Sequence, residues 1–140
     1  MDIREYTWEG IEIGVNSIAM QMFKDEWRPD YIVGITRGGL IPGVLLSHTT
    51  DIPMKTLCVQ LKSDGLEEVT EHNAQMARDA LKNNKKILII DDINRGGDAI
   101  NWIIDDWQDA IGMVGDYKSE SWHTNVRFAS LIDNPNSKVP

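Results

Sequence analysis

The stretch ILIIDDINRGGDAI, residues 87–100, joins four apolar residues to two neighbouring carboxylates, Asp91 and Asp92, and then to a loop with two glycines. An apolar run of this length is typical of a strand buried on both faces. Because successive strand residues point to opposite faces, both carboxylates need partners at the strand's end. Vicinal hydroxyl groups or a hydrated magnesium ion would supply them.

Further strands and helices alternate along the rest of the chain. The predicted strands are YIVGIT (31–36), KTLCVQL (55–61), KKILIID (85–91) and VRFASLID (126–133). The predicted helices run from an N-cap at Thr7 to about Trp27, over GGLIPGVLLSH (38–48), to about Leu81, and from near Asp98 with Ile100, Ile103, Ile104, Trp107 and Ile111 on one face. This alternation predicts a Rossmann-like α/β fold: a parallel sheet with helices on both faces and ligands at the C-terminal strand ends.

Length and composition indicate one soluble domain over residues 1–140, since no linker, repeat or low-complexity tract divides the chain. We find no apolar signal core and no segment long enough to cross a bilayer. The lone cysteine, Cys58, cannot form an internal disulfide and indicates a reducing compartment. We therefore expect a cytoplasmic protein.

The charge balance argues against a protein that coats nucleic acid. The chain has 14 Lys and Arg against 22 Asp and Glu, a net charge of -8, and nucleic-acid binding needs clustered cations. A small anionic ligand remains possible, because backbone N–H groups and a helix N-terminus can hold an anion. We expect a small-molecule ligand, with neither nucleic acid nor membrane as partner.

A second glycine-rich segment, TRGG at residues 36–39, follows the strand YIVGIT. Glycines at a strand end let backbone N–H groups approach a ligand closely and form an anion cradle. A plain turn between strand and helix would have the same sequence.

Together these motifs resemble the type I phosphoribosyltransferases, above all the bacterial xanthine-guanine and hypoxanthine-type purine enzymes. PDYIVGITRGGLIPGVLLSH (29–48) is similar to their first strand, pyrophosphate loop and following helix. ILIIDDINRGGDAI lies where the family has an apolar strand, two acids, a three-residue spacer and Thr-Gly-x-Thr. VRFASLIDNP (126–135) resembles the late strand that leads to the base pocket.

The resemblance implies transfer of a phosphoribosyl group from phosphoribosyl pyrophosphate to a purine-type base in nucleotide salvage. Arg37, Gly38 and Gly39 would form the pyrophosphate loop, often with a non-proline cis peptide at this point. Asp91 and Asp92 would hold the ribose hydroxyls, directly and through hydrated Mg²⁺, and with Arg37 they form the implied catalytic set. A homodimer or homotetramer is expected.

The resemblance also assigns the remaining substrate contacts. The loop around the 5'-phosphate and the base side of the site would comprise Asn94, Arg95, Gly96, Gly97, Asp98, Ala99, Ile132 and Asn134. A polar segment with an Asp-Gly turn signal, residues 62–75, would be a long loop that serves as a mobile lid.

The chain departs from the family pattern at two places. Arg95 stands where an acid is common, and Gly96 and Ala99 replace two hydroxyl residues. An arginine cannot act as a base at neutral pH, so the family's base does not carry over. The segment DNPNSKVP (133–140) is short, which predicts a reduced or missing C-terminal hood, with base recognition altered, lost, or supplied by Trp122 or a partner subunit.

Three functions are compatible with the sequence. The first is a purine-type phosphoribosyltransferase. The second is a module of the same fold that binds nucleotide or phosphoribosyl pyrophosphate as a sensor without turnover. The third is a receiver-like signalling domain, because ILIIDDI is also typical of an acid pocket around a phosphorylated aspartate. The third fits less well, since in receivers the acid pair ends the first strand.

Overall fold

The computed structural model describes residues 7–62, 65–68, 73–94, 100–104, 107 and 125–133. The elements in chain order are α1 (Trp8–Lys24), β1 (Tyr31–Thr36), α2 (Leu40–Thr50), β2 (Met54–Lys62), β3 (Gly65–Glu68), α3 (Asn73–Leu81), β4 (Ile87–Asn94) and β5 (Val126–Asp133). Residues 100–104 and Trp107 are helical.

The strands form one five-stranded sheet in the order β3-β2-β1-β4-β5. β1 pairs in parallel with both β2 and β4, and β5 pairs in parallel with β4. β3 is antiparallel to β2 at the edge of the sheet. The predicted α/β fold with a parallel sheet is therefore confirmed, with one antiparallel strand added.

Both faces of the sheet are buried, as the apolar strand sequences predict. On one face α1 and α2 pack over a cluster formed by Val15, Met22, Trp27, Ile32, Leu46, Ile52, Leu88 and Ile90. On the other face α3 and the helical residues after 99 pack over a cluster that includes Val33, Leu57, Met76, Ala77, Ile87, Ile89, Ile100, Ile103 and Trp107. Ile32 and Val33 are fully buried on opposite faces, so β1 lies at the centre of the protein.

The helix starts follow local rules that the sequence shows. The Thr7 side chain accepts a hydrogen bond from the Gly10 N–H at 3.0 Å and caps α1 as predicted. Pro42 is the third residue of α2, within the first turn, where its missing N–H breaks no helical hydrogen bond. Thr7 therefore caps the start of α1, and Pro42 is compatible with the start of α2.

Two predicted boundaries were wrong. The segment 62–75 is not one loop, because residues 65–68 form β3, which pairs with β2 from Val59–Glu68 to Lys62–Gly65. The strand that carries the acids was predicted to end at Asp91 but continues to Asn94, so Asp92 also lies within β4. Pairing with β5 supports this extension, since Ile93 lies opposite Ile132 and Asn94 opposite Asp133. Ile111 lies outside the described residues.

Among the described residues, none of the helices is both long enough and apolar enough to cross a membrane.

Candidate functional site

The glycine-rich segment and the acid pair meet at one edge of the sheet. β1 and β4 are adjacent parallel strands, in register from Tyr31–Ile87 to Gly34–Ile90. Their C-terminal ends therefore come out side by side, although the paired residues are 56 positions apart in the chain. This strand order places the segment after β1 against the acids on β4.

Gly38 lies directly against the carboxylate of Asp92. A Cβ added at position 38 would collide with the Asp92 carboxyl group, with Oδ1 at 2.6 Å. Cβ atoms do not normally come this close to another heavy atom. The absence of a side chain at position 38 thus allows Asp92 to occupy its place beside the loop.

Gly39 is buried against backbone rather than against a side chain. A Cβ there would meet the Ile90 carbonyl oxygen, the Ile35 oxygen at 2.7 Å and the Ile35 nitrogen at 2.8 Å. Its own φ of -72° is open to any residue, so close packing and not backbone conformation requires glycine. The peptide bond between Thr36 and Arg37 is cis, as the resemblance implied.

The two acids are partly buried and interact with each other. The Asp92 N–H donates a hydrogen bond to Asp91 Oδ1 at 2.8 Å. Burial, followed by the side-chain hydrogen bond with Asp92 and its negative charge, raises the pKa of Asp91 from 3.8 to about 7, against the lowering effect of the Asp92 N–H. The environment of the Asp91 carboxyl group therefore favours the binding of a proton or a cation.

The acid pair suits a magnesium ion better than a closed metal site. Within the residues that the structure describes, no group of three or more His, Cys, Asp or Glu side chains could hold a metal ion. Mg²⁺ commonly keeps several water ligands and is bound by one or two carboxylates together with substrate phosphates. Asp91 and Asp92 satisfy that requirement only with a phosphorylated ligand present.

The structure places some of the other predicted site residues nearby. The exposed Arg37 lies between the cis peptide and Gly38. Asn94 ends β4 and Ile132 lies on the adjacent β5, so their backbones reach the same edge of the sheet. The predicted residues at 95–99 and 134 lie outside the described residues.

Two residues at this edge were not predicted from the sequence. Ser130 lies opposite Asp91 in the register of β4 and β5, and Asp133 lies opposite Asn94. Both could have been found from the sequence by treating each polar residue in the C-terminal half of a predicted parallel strand as a candidate site residue.

Two cavities bounded by described residues lie away from the acid pair. One, of about 330 Å³, is lined by Ser47, His48, Asp51, Ile52 and Pro53. The other, of about 400 Å³, is lined by Met54, Lys55, Thr56 and Met76. Both adjoin the start of β2, and the acids lie near the other end of the parallel strands. Neither cavity belongs to the candidate site.

Comparison with known proteins agrees with this geometry. The purine phosphoribosyltransferase from Pyrococcus horikoshii Ot3 is 27% identical, with all of this chain and 83% of that one covered and a TM-score of 0.71. The xanthine-guanine-hypoxanthine phosphoribosyltransferase of Helicobacter pylori is 18% identical, covering 96% and 80% of the chains, with a TM-score of 0.63. A hypoxanthine phosphoribosyltransferase from Staphylococcus aureus is 20% identical, covering 99% and 73%, with a TM-score of 0.66.

The family model described as "Phosphoribosyl transferase domain" matches residues 6–140, almost the whole chain. The match spans both the glycine-rich segment after β1 and the acid pair on β4, which the structure brings into contact. On this evidence, the chain belongs to the phosphoribosyl transferase domain family.

Proposed function

We propose that this protein transfers the phosphoribosyl group of phosphoribosyl pyrophosphate to a purine-type base, in nucleotide salvage. The observation that carries the proposal is the contact of Gly38 with the Asp92 carboxylate, which unites the glycine-rich segment and the acid pair in one site. The P. horikoshii neighbour, named as a purine phosphoribosyltransferase and 27% identical, supports the class of base.

The segment Arg37–Gly39 would bind the pyrophosphate. The exposed Arg37 guanidinium supplies a permanent positive charge for the departing oxyanion. The Gly39 N–H already donates a hydrogen bond to the Ile35 carbonyl oxygen at 2.8 Å. Backbone donors from this segment would therefore come from Arg37 and Gly38.

Asp91 and Asp92 would bind the ribose. Their oxygens can accept hydrogen bonds from the two ribose hydroxyls, and their negative charge stabilises the positive charge that develops at C1. As the bond from a base nitrogen to C1 forms, the bond from C1 to the pyrophosphate oxygen breaks, and the nitrogen's proton passes to solvent. When bound between these carboxylates and the substrate, Mg²⁺ would neutralise charge on the pyrophosphate.

The proposal assigns no general base. Arg95, at the position where an acid is common in the family, stays protonated at neutral pH. It could instead bind the 5'-phosphate together with the backbone amides of Gly96, Gly97 and Ala99. Asn94, Asp98, Ile132 and Asn134 complete the proposed substrate site. The reaction would thus rely on stabilising the leaving group and the ribose.

Two measurements test the proposal. Calorimetric titration with phosphoribosyl pyrophosphate, with Mg²⁺ and again with EDTA, should show magnesium-dependent binding. Pyrophosphate release should then appear on addition of at least one of guanine, hypoxanthine, xanthine and adenine. An Asp92→Asn variant is the control, because it alters the acid pair and leaves the segment after β1 unchanged.

The outcomes separate the alternatives. If the protein binds phosphoribosyl pyrophosphate but releases no pyrophosphate with any of the four bases, it is a sensor of nucleotide or phosphoribosyl pyrophosphate with the same fold and not an enzyme. Absence of binding would overturn both functions. The proposal also includes a cytoplasmic location, supported by the single cysteine, and assembly into a homodimer or homotetramer.

A further inference from the structure

Ser130, on β5, is the polar residue that the sheet places directly beside Asp91 on β4. The parallel register of the two strands pairs these residues, with Ile89 opposite Phe128 two positions earlier. Residues that are opposite each other in a parallel pair project from the same face of the sheet, and neighbouring strands are about 4.8 Å apart. The Ser130 hydroxyl and the Asp91 carboxylate therefore lie on the same face, one strand apart.

The buried clusters show which face this is. Ile89 belongs to the cluster under α3 and the helical residues after 99, and Ile90 belongs to the cluster under α1 and α2. Because side chains alternate along a strand, Asp91 and Ser130 project on the first of these faces, which we name the α3 face, and Asp92 projects on the other. The two acids thus have different neighbours, and the segment after β1 lies against the second acid.

The other strand residues around Asp91 on the α3 face are apolar. Ile89 is fully buried two positions earlier on β4, and the register of β1 and β4 places Ile35, 4% exposed, on the side away from β5. Phe128 packs against the same cluster. Among the described strand residues that surround the acid on this face, Ser130 is the one whose side chain can donate a hydrogen bond.

The Asp91 carboxylate needs a second anchor to be held in one orientation. The Asp92 N–H holds one oxygen, Oδ1, at 2.8 Å. This bond alone leaves the carboxylate free to turn about that oxygen. When both acids are ionised, as binding of Mg²⁺ requires, their charges repel and neither can donate a hydrogen bond to the other. A hydroxyl donor beside the carboxylate would fix its second oxygen, Oδ2.

We propose that Ser130 is a positioning residue, whose hydroxyl donates a hydrogen bond to the ionised Asp91 carboxylate and holds it toward the ribose hydroxyls. The inference rests on the proposed function, because it assigns a residue to the ribose side of the same site. Ser130 acts through Asp91, so its effect should depend on the ribose. The pyrophosphate, held by the segment after β1, should bind without it.

Ser130→Ala tests the inference, because it removes the hydroxyl with little change in size. Calorimetry on the full chain with Mg²⁺ should show phosphoribosyl pyrophosphate binding weakened at least about 10-fold, as for a hydrogen bond to a charged group. Inorganic pyrophosphate, which has no ribose, should bind the variant and the wild type equally. Ser130→Thr keeps the hydroxyl and should bind phosphoribosyl pyrophosphate as the wild type does.

Thr56→Ala is the matched control. It removes a hydroxyl from an exposed position on β2, which β1 separates from β4, and both ligands should bind as they do to the wild type. Thermal melting confirms that each variant is folded, and Ser130→Ala should melt with the wild type. If Ser130→Ala does not fold, Ser130→Val replaces it and is compared with Ser130→Thr, because valine has the shape of threonine without the hydroxyl.

The outcomes distinguish this inference from the proposed function. If the wild type binds phosphoribosyl pyrophosphate and Ser130→Ala binds it as tightly, the inference is wrong and the proposed function stands. Equal weakening of both ligands by Ser130→Ala, or weak binding by Ser130→Thr, would also overturn the inference. If the wild type does not bind phosphoribosyl pyrophosphate, both are overturned. Each readout is a binding constant, so none depends on turnover.

Discussion

The carboxylate of Asp92, on β4, lies against the Cα of Gly38, in the segment that follows β1. This contact joins the two sequence motifs that bear on function, and it leaves no room for a methyl group between them. A side chain at position 38 would move the carboxylate, the segment, or both. The contact therefore couples the proposed pyrophosphate site to the proposed ribose site.

Gly38→Ala should weaken phosphoribosyl pyrophosphate binding at least about 10-fold, because the new methyl group displaces the Asp92 carboxylate. Calorimetry with Mg²⁺ measures the effect. Gly10→Ala is the matched control: a Cβ there finds its nearest neighbour, Thr7 Oγ1, at 3.5 Å, an ordinary contact. Binding by Gly10→Ala should be unchanged. If Gly38→Ala binds as tightly as wild type, the coupling is wrong.

Gly39→Ala should instead destabilise the fold. Its Cβ would meet backbone atoms of Ile35 and Ile90, which cannot move aside as a flexible side chain can. We expect a loss of about 1–3 kcal/mol in the free energy of unfolding, measured by urea denaturation. A change of less than about 0.5 kcal/mol would show that this backbone contact is loose in solution.

Asp91→Asn and Asp92→Asn should each abolish magnesium-dependent binding while leaving the melting temperature of the unliganded protein equal or higher. The raised pKa of Asp91 reflects burial first and the neighbouring Asp92 second, so an uncharged amide relieves an unfavourable charge. Calorimetry and thermal melting on the same samples measure both effects. Variants that melt lower but bind normally would make the pair structural.

Asp79 should account for part of the acid sensitivity of the fold. Burial alone would raise its pKa, but hydrogen bonds from Tyr31 at 2.8 Å, Gln75 at 2.9 Å and Asn83 at 3.2 Å, with the charge of Lys85, outweigh burial and lower it. Because the pKa of Asp79 is lower in the folded state than its ordinary value of 3.8, the ionised carboxylate stabilises the fold above pH 3.8. This stability is lost as the pH falls through the folded-state pKa.

Asp79→Asn should therefore cost about 1–3 kcal/mol at pH 7, by leaving a donor unpaired, and flatten the decline in stability at acid pH. Urea denaturation between neutral and acid pH measures both. Asp25→Asn makes the same change in an exposed ion pair with Arg127, where we expect a loss below about 1 kcal/mol. Equal losses in the two variants would contradict the role given to Asp79.

Arg95→Ala tests the proposed phosphate loop. If Arg95 replaces the hydroxyl donors that Gly96 and Ala99 lack, its removal should weaken nucleoside monophosphate binding by about 1.5–3 kcal/mol, as for a charge-assisted hydrogen bond. Binding of the free nucleoside should be nearly unchanged. Equal weakening of both ligands, or of neither, would show that this arginine does not contact the phosphate.

Much of the fold could be predicted because its signals are local. The N-cap at Thr7, the buried face with Val15 and Met22, and the apolar strand 87–90 each depend on residues a few positions apart. β3 could not be predicted in this way. GLEE at residues 65–68 has little strand propensity, and the strand exists because its backbone pairs with the edge of β2.

The class of fold, the family resemblance and the two functional motifs could be read from residue order alone, because helical and strand periodicity are properties of the chain before it folds. The contact of Gly38 with Asp92, the raised pKa of Asp91 and the exposure of Phe23 could be learned only from the folded chain. Each of these depends on β4 lying beside β1 and on the helices covering the sheet. That arrangement follows from burying both faces of the sheet at once, a condition on the whole chain and not on any segment.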